Sequence, residues 1–114
     1  MLVVDDERAV RETTARMLQA SGYQVLTAAT LADARQMIAD PSLEFDALIT
    51  DVVLSGERGT DLLAHCRTLR PKTRILVMSG FTPEPSAAAA LSAHDAGFLA
   101  KPFGREQLLK ALKG

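Results

Sequence analysis

A doubly wound α/β domain built on one parallel sheet is the fold class that the sequence predicts. Three observations carry that reading. Short β-branched apolar runs without alternation recur, as in Leu2-Val3-Val4 and Ala47-Leu48-Ile49-Thr50, and such runs read as strands buried on both faces. Amphipathic stretches separate them, so that strand and helix signals alternate five times. Acidic residues end two of the runs: Asp5-Asp6-Glu7 after one and Asp51 after the other. In an open α/β sheet, functional groups collect at the carboxyl ends of the strands.

The elements follow in order. The first strand covers about Leu2–Val4. A helix runs from Arg8 to about Ser21, with Val10, Thr14, Met17 and Leu18 on one face, and Gly22 ends it as a C′ residue. A second strand lies within Tyr23–Ala28. Thr30 opens a helix with Asp33 as the acidic half of a capping box, Leu31, Ala34 and Ile38 face inward, and Asp40-Pro41-Ser42 breaks it. The third strand ends at Asp51, and Ser55–Gly59 reads as a loop. Thr60 or Asp61 opens the third helix, which Pro71 stops. Arg74–Met78 is the fourth strand, running into Ser79-Gly80. Pro83 and Pro85 punctuate the start of an Ala-rich fourth helix, Ser86 to Ala93. Gly97–Ala100 is a short fifth strand before Lys101-Pro102-Phe103, and Arg105–Lys113 is the last helix, with Leu108, Leu109 and Leu112 inward. Right-handed crossovers leave few topologies for five such units, and the flavodoxin-like strand order 2-1-3-4-5 is the favoured one. That order sets the first and third strands side by side and brings Asp5, Asp6 and Asp51 together.

At 114 residues with 47% hydrophobic content, the chain suits one domain, residues 1–114, with one core. A net charge of −1 gives no field for direct nucleic-acid binding. No apolar stretch is long enough for membrane insertion, and no signal peptide is visible. Cys66 is the only cysteine, so no internal disulfide forms and a reducing cytoplasm is the expected setting. Its helical spacing with Leu62, Leu63 and Leu69 makes it a small core residue. Met1 falls inside the first strand and Gly114 follows the last helix at once, as in a domain cut from a longer chain or a minimal single-domain protein.

Polar groups mark four of the five strand ends: Asp5 with Asp6, Asp51, Ser79 and Lys101. Three clustered carboxylates repel one another unless a cation joins them or one is protonated. The set suits phosphoryl chemistry. One carboxylate can act as nucleophile, others can hold Mg2+, and a hydroxyl and an ammonium can hold phosphoryl oxygens. Each residue also has a plainer role. Asp5 and Asp6 can cap the following helix, Ser79-Gly80 can be a turn, Lys101 can be solvated, and Phe98 can be core. His65 and His94 read as helix-surface or loop residues without metal-ligand company.

These pieces together resemble a two-component response-regulator receiver domain over nearly the whole chain. The matching motifs are Val3-Val4-Asp5-Asp6-Glu7, Asp51 with Leu54 and Gly59, Met78-Ser79-Gly80 and Lys101-Pro102-Phe103. Each is weak alone; all four in order are specific. The resemblance implies a (βα)5 receiver fold and a phosphoryl group accepted on Asp51 from a histidine kinase or phosphotransfer protein. It implies Mg2+ held by Asp6, Asp51 and the backbone carbonyl of Val53, with Asp5 acting through metal-bound water. Lys101 would pair with Asp51 at rest and with the phosphoryl group afterward, and Ser79 would donate its hydroxyl to that group. Phe98 falls at the aromatic switch position, and Lys101–Pro102 would be a cis peptide. The surface of the fourth helix, fifth strand and fifth helix would then change shape to control a downstream protein or output domain.

Two departures from the family stand out. Ser55 replaces the usual proline shortly after the acceptor, so backbone stiffness is lost there. Ser79-Gly80-Phe81 is closer to receivers attached to hybrid sensor kinases, which keeps open a C-terminal receiver of a hybrid histidine kinase whose kinase activity lies elsewhere. The resemblance implies that the residues two after the acceptor and two after the serine flank the path of the hydrolytic water; here these are the apolar Val53 and Phe81, so slow self-dephosphorylation is expected. A Mg2+-dependent aspartyl-phosphate hydrolase or phosphatase needs a general acid two residues after its nucleophile; Asp51 is followed there by Val53, and Asp5 by Glu7 but with no cap domain in the sequence, so that reading is disfavoured. The domain itself is thus read as a signalling module and not as an enzyme.

Overall fold

A computed structural model gives the structure, and it describes residues 1–51, 53–54, 57–58, 60–80, 89 and 91–113. Five strands form one parallel sheet: β1 Leu2–Val4, β2 Leu26–Ala28, β3 Ala47–Asp51, β4 Arg74–Ser79 and β5 Gly97–Ala100. Their order is β2-β1-β3-β4-β5, as the sequence predicts. Helices α1 Arg8–Ala20, α2 Leu31–Ala39 and α3 Thr60–Leu69 and a C-terminal helix Arg105–Lys113 accompany it.

Alternation along the strands divides the core in two. Leu2, Val4, Leu48, Ile75 and Val77 face one side and join Ala34, Ile38, Leu62, Leu63 and Cys66 from α2 and α3. Val3, Ile49, Leu76 and Met78 face the other and join Leu18 of α1 and Leu108 of the C-terminal helix. Both faces are therefore covered, which is why these runs are apolar without a polar alternate. Cys66 is fully buried, and that burial pushes its thiol pKa up.

Local signals set the boundaries. Gly22 ends α1 at φ 93°, with Gly22 N–H donating to Gln19 O and Tyr23 N–H to Leu18 O, the paired bonds of a left-handed helix stop. Thr30 Oγ1 accepts from Asp33 N–H at 3.1 Å and so caps α2. Two expectations need correction. Glu57–Arg58, within the Ser55–Gly59 segment read as a loop, pairs antiparallel with Val53–Leu54, a pairing too short to leave a periodic signal. Phe98, for which core was one reading, lies on the edge strand β5 and is 36% exposed. Ser55, Phe81 and the start of the Ala-rich helix lie outside the described residues; residue 89 and residues 91–93 are helical.

Candidate functional site

The sheet order places the carboxyl ends of β1, β3, β4 and β5 in a row. Register then sets the depth: Val4 pairs with Thr50, Asp51 with Met78, and Ser79 with Ala100. Asp5 and Asp51 therefore follow neighbouring strands at about the same level, with Ser79 and Lys101 one and two strands further on. Ser79 is 6% exposed, and its carbonyl accepts the Lys101 N–H at 2.8 Å. The Lys101–Pro102 bond is cis, as the family resemblance implied.

Lys101 is the hub. Its Nζ donates to Asp51 Oδ2 at 2.6 Å and to Asp5 Oδ2 at 3.0 Å. Pairing with Asp51 was expected from the sequence; pairing with Asp5 was not. Burial by itself would lower the Lys101 ammonium pKa, but the hydrogen bonds and charges of Asp51 and Asp5 together outweigh it and hold the pKa above the ordinary value.

Asp5 is fully buried, and every polar atom it has is used. Its N–H donates to Ala28 O at 3.2 Å, and its carbonyl accepts from Arg11 Nη1 at 2.9 Å. Oδ1 accepts the Glu7 N–H at 2.9 Å, and Oδ2 accepts Lys101. The capping role considered for this acid is met in part: Asp5 holds the N–H of the residue just before α1. Asp6, next in the chain, is exposed.

Carboxylate oxygens of Asp5, Asp6 and Asp51 lie within 4.8 Å of one another. Three carboxylates thus gather beside Lys101. Oxygen-only donors with excess negative charge fit a hard divalent cation such as Mg2+. Both Asp5 oxygens are engaged, by the Glu7 N–H and by Lys101. Val53 lies two residues beyond Asp51, its backbone paired with Arg58. No other group of metal-ligating side chains occurs among the described residues, His65 and His94 included. Beside the cluster runs a groove of about 450 Å³ lined by Ala9, Val10, Thr14, Met17, Pro102 and Phe103, with Lys101 at its edge.

Arg11 is the residue that sequence reasoning missed. It lies on α1 and reaches back six residues to a carbonyl, a contact without periodic signature. Among the described residues, no helix is long and apolar enough to cross a membrane.

The family model of the response regulator receiver domain matches residues 1–113. The chain is 33% identical over 113 residues to the DNA-binding transcriptional regulator NtrC of Azospirillum brasilense, covering 99% of this chain and 23% of that protein. It is 34% identical over 113 residues to the sensor kinase CckA of Brucella abortus, covering 99% of this chain and 12% of that one. The chain thus spans less than a quarter of either relative. Its structure is similar to that of a response regulator protein from Burkholderia pseudomallei with a phosphorylated aspartic acid, calcium ion and citrate. There the TM-score is 0.87 at 32% identity, covering 97% of this chain and 64% of that one. Strand order, acid cluster and sequence likeness meet in one conclusion: the chain belongs to the response regulator receiver domains of two-component signalling.

Proposed function

We propose that this receiver, residues 1–114, accepts a phosphoryl group on Asp51 from a histidine kinase or phosphotransfer protein in a Mg2+-dependent reaction. The single observation that supports this most is Lys101 Nζ bridging Asp51 and Asp5 beside the three-carboxylate cluster. A carboxylate oxygen of Asp51 attacks phosphorus, the new O–P bond forms, and the P–N bond to the donor imidazole breaks with its electron pair leaving on nitrogen. Asp6, Asp51 and the Val53 carbonyl would hold Mg2+, with Asp5 supporting the site, and the ion would supply positive charge against the phosphoryl oxygens.

The protein's own residues do the rest. Lys101 holds Asp51 in place before transfer and gives its hydrogen bond to a phosphoryl oxygen afterward. Ser79, already at the end of the neighbouring strand, donates its hydroxyl to another. Phe98 starts exposed, and its inward rotation as Ser79 moves changes the surface of the Ala-rich helix, β5 and the C-terminal helix. An apolar ring has no hydroxyl to satisfy on burial, so that inward state carries no unpaired polar group. Phosphorylation acts by favouring one of two accessible states, and the altered surface controls a downstream protein or output domain. The apolar groove beside Lys101 gives the histidine-bearing donor a contact surface next to the acceptor. The domain's own chemistry is confined to its phosphorylation and dephosphorylation, and its setting is the cytoplasm.

Intact mass after incubation with acetyl phosphate tests this reading, with and without Mg2+, on wild type and Asp51→Asn. A phosphoryl adduct that needs Mg2+ and vanishes in the variant is the expected result. An adduct of equal yield in Asp51→Asn overturns the assignment. The likeness to the sensor kinase CckA supports a second reading, the receiver domain of a hybrid histidine kinase. An ATP-binding domain upstream in the parent chain decides for it; a DNA-binding domain downstream decides against it.

A further inference from the structure

We infer that Arg11 is a positioning residue for the acidic site: its guanidinium holds the Asp5 carbonyl and so fixes the turn that presents Asp6 to a divalent cation. The inference rests on the Mg2+-dependent reading above.

The geometry begins with a backbone problem. The strand pairing of β1 ends at Val4, so the carbonyl of Asp5 receives no bond from the ladder. Asp5 is fully buried, and a buried carbonyl without a donor is costly. Arg11 Nη1 supplies that donor at 2.9 Å, and a charged donor makes the stronger kind of bond. Arg11 also acts a second time. Its backbone N–H donates to Glu7 O at 2.9 Å, the first bond of the helix. The residues before and after Asp6 thus each have their carbonyl held by the same residue. Glu7 N–H is in turn held by Asp5 Oδ1. Asp6 itself is exposed and sits between the two carbonyls that Arg11 holds.

Two effects of the Arg11 side chain oppose each other. Its hydrogen bond orders the turn and favours cation binding. Its positive charge, beside a cluster that must take up a cation, disfavours binding. Removing the side chain therefore gives results of opposite sign in the two cases. Partners that orient metal ligands commonly matter tenfold or more in affinity, whereas a partly solvated charge is screened. Positioning is the larger effect.

The test is titration of the purified chain with Mn2+, followed by electron paramagnetic resonance of the free ion and competed with Mg2+. Wild type, Arg11→Ala, Arg11→Lys and Asp6→Asn are compared. Arg11→Ala is expected to bind about tenfold more weakly, and Arg11→Lys, which keeps a charged donor on a long stem, to recover most of the loss. Equal or tighter binding by Arg11→Ala overturns the inference while leaving the site reading intact. So does a loss that lysine does not relieve. No binding by wild type, or none lost in Asp6→Asn, overturns the site reading and the inference with it. If Arg11→Ala does not fold, Arg11→Gln takes its place and is read the same way.

Discussion

The two ends of the sheet use partly buried cations in opposite ways. At the amino ends of the strands, Arg70 donates through Nε to Ile38 O and through Nη2 to Asp40 O and Leu43 O, with its guanidinium 4.1 Å over the Phe45 ring. Arg67 does the same for His94 O, Pro71 O and Thr73 O. These partners are backbone carbonyls at chain reversals, and no chemical event alters them. At the carboxyl ends, Lys101 donates to side-chain carboxylates of Asp5 and Asp51. A carboxylate can be phosphorylated or can bind a cation, so this pairing can be exchanged. Arginine's planar fork suits fixed, multiple acceptors, while lysine is a mobile point charge on a flexible stem. One end is a brace and the other a switch.

The largest effect expected from breaking this contrast falls on chemistry. Lys101→Met should slow phosphoryl acceptance from acetyl phosphate by about a hundredfold, the usual loss on deleting one preorganised donor, while leaving a folded domain. Intact-mass time courses check it. Mg2+ should also raise the unfolding temperature of Lys101→Met more than that of wild type, because the variant leaves three carboxylates with no lysine among them.

At the opposite end the expected loss is in stability. Arg70→Ala removes three donors from carbonyls and a ring contact, and should cost about 2–4 kcal/mol in urea unfolding. The folded variant should accept phosphate at the wild-type rate. If it does not, the two ends are coupled and the division into brace and switch fails. A smaller loss, about 1 kcal/mol, is expected for Thr30→Ala, which removes only the cap of α2.

The smallest effect appears only in strong alkali. The Lys101 pKa is raised in the fold above its ordinary 10.5, burial being outweighed by the bonds and charges of Asp51 and Asp5. Its stabilisation is therefore complete below about pH 10.5 and is lost as pH rises through the higher folded value. Urea midpoints should fall more steeply above that pH in wild type than in Lys101→Met. Parallel curves would show that the ion pair contributes nothing.

The switch end was far more legible in the sequence than the brace end. Asp5, Asp6, Asp51, Ser79 and Lys101 stand at the ends of apolar runs, so the strand order alone brings them together. Arg67 and Arg70 act on carbonyls of distant turns, and a carbonyl is present at every residue whatever its type. Arg11 escaped notice for the same reason, since its partner is the backbone of Asp5 and not its side chain. Phe98 could be read as core or as switch because an aromatic in a short strand fits both; in the fold its ring is 36% exposed. The pairing of Val53–Leu54 with Glu57–Arg58 was too brief for any pattern.

The central claim is that Asp51 and no other acid receives the phosphoryl group. Borohydride reduction of the protein after acetyl phosphate and Mg2+ treatment, followed by tandem mass spectrometry, tests it most directly, because reduction converts an aspartyl phosphate to homoserine. Homoserine at position 51, absent when Mg2+ is withheld, is the predicted result. Homoserine at position 5 or 6, or a phosphoryl group retained on a histidine, would contradict it.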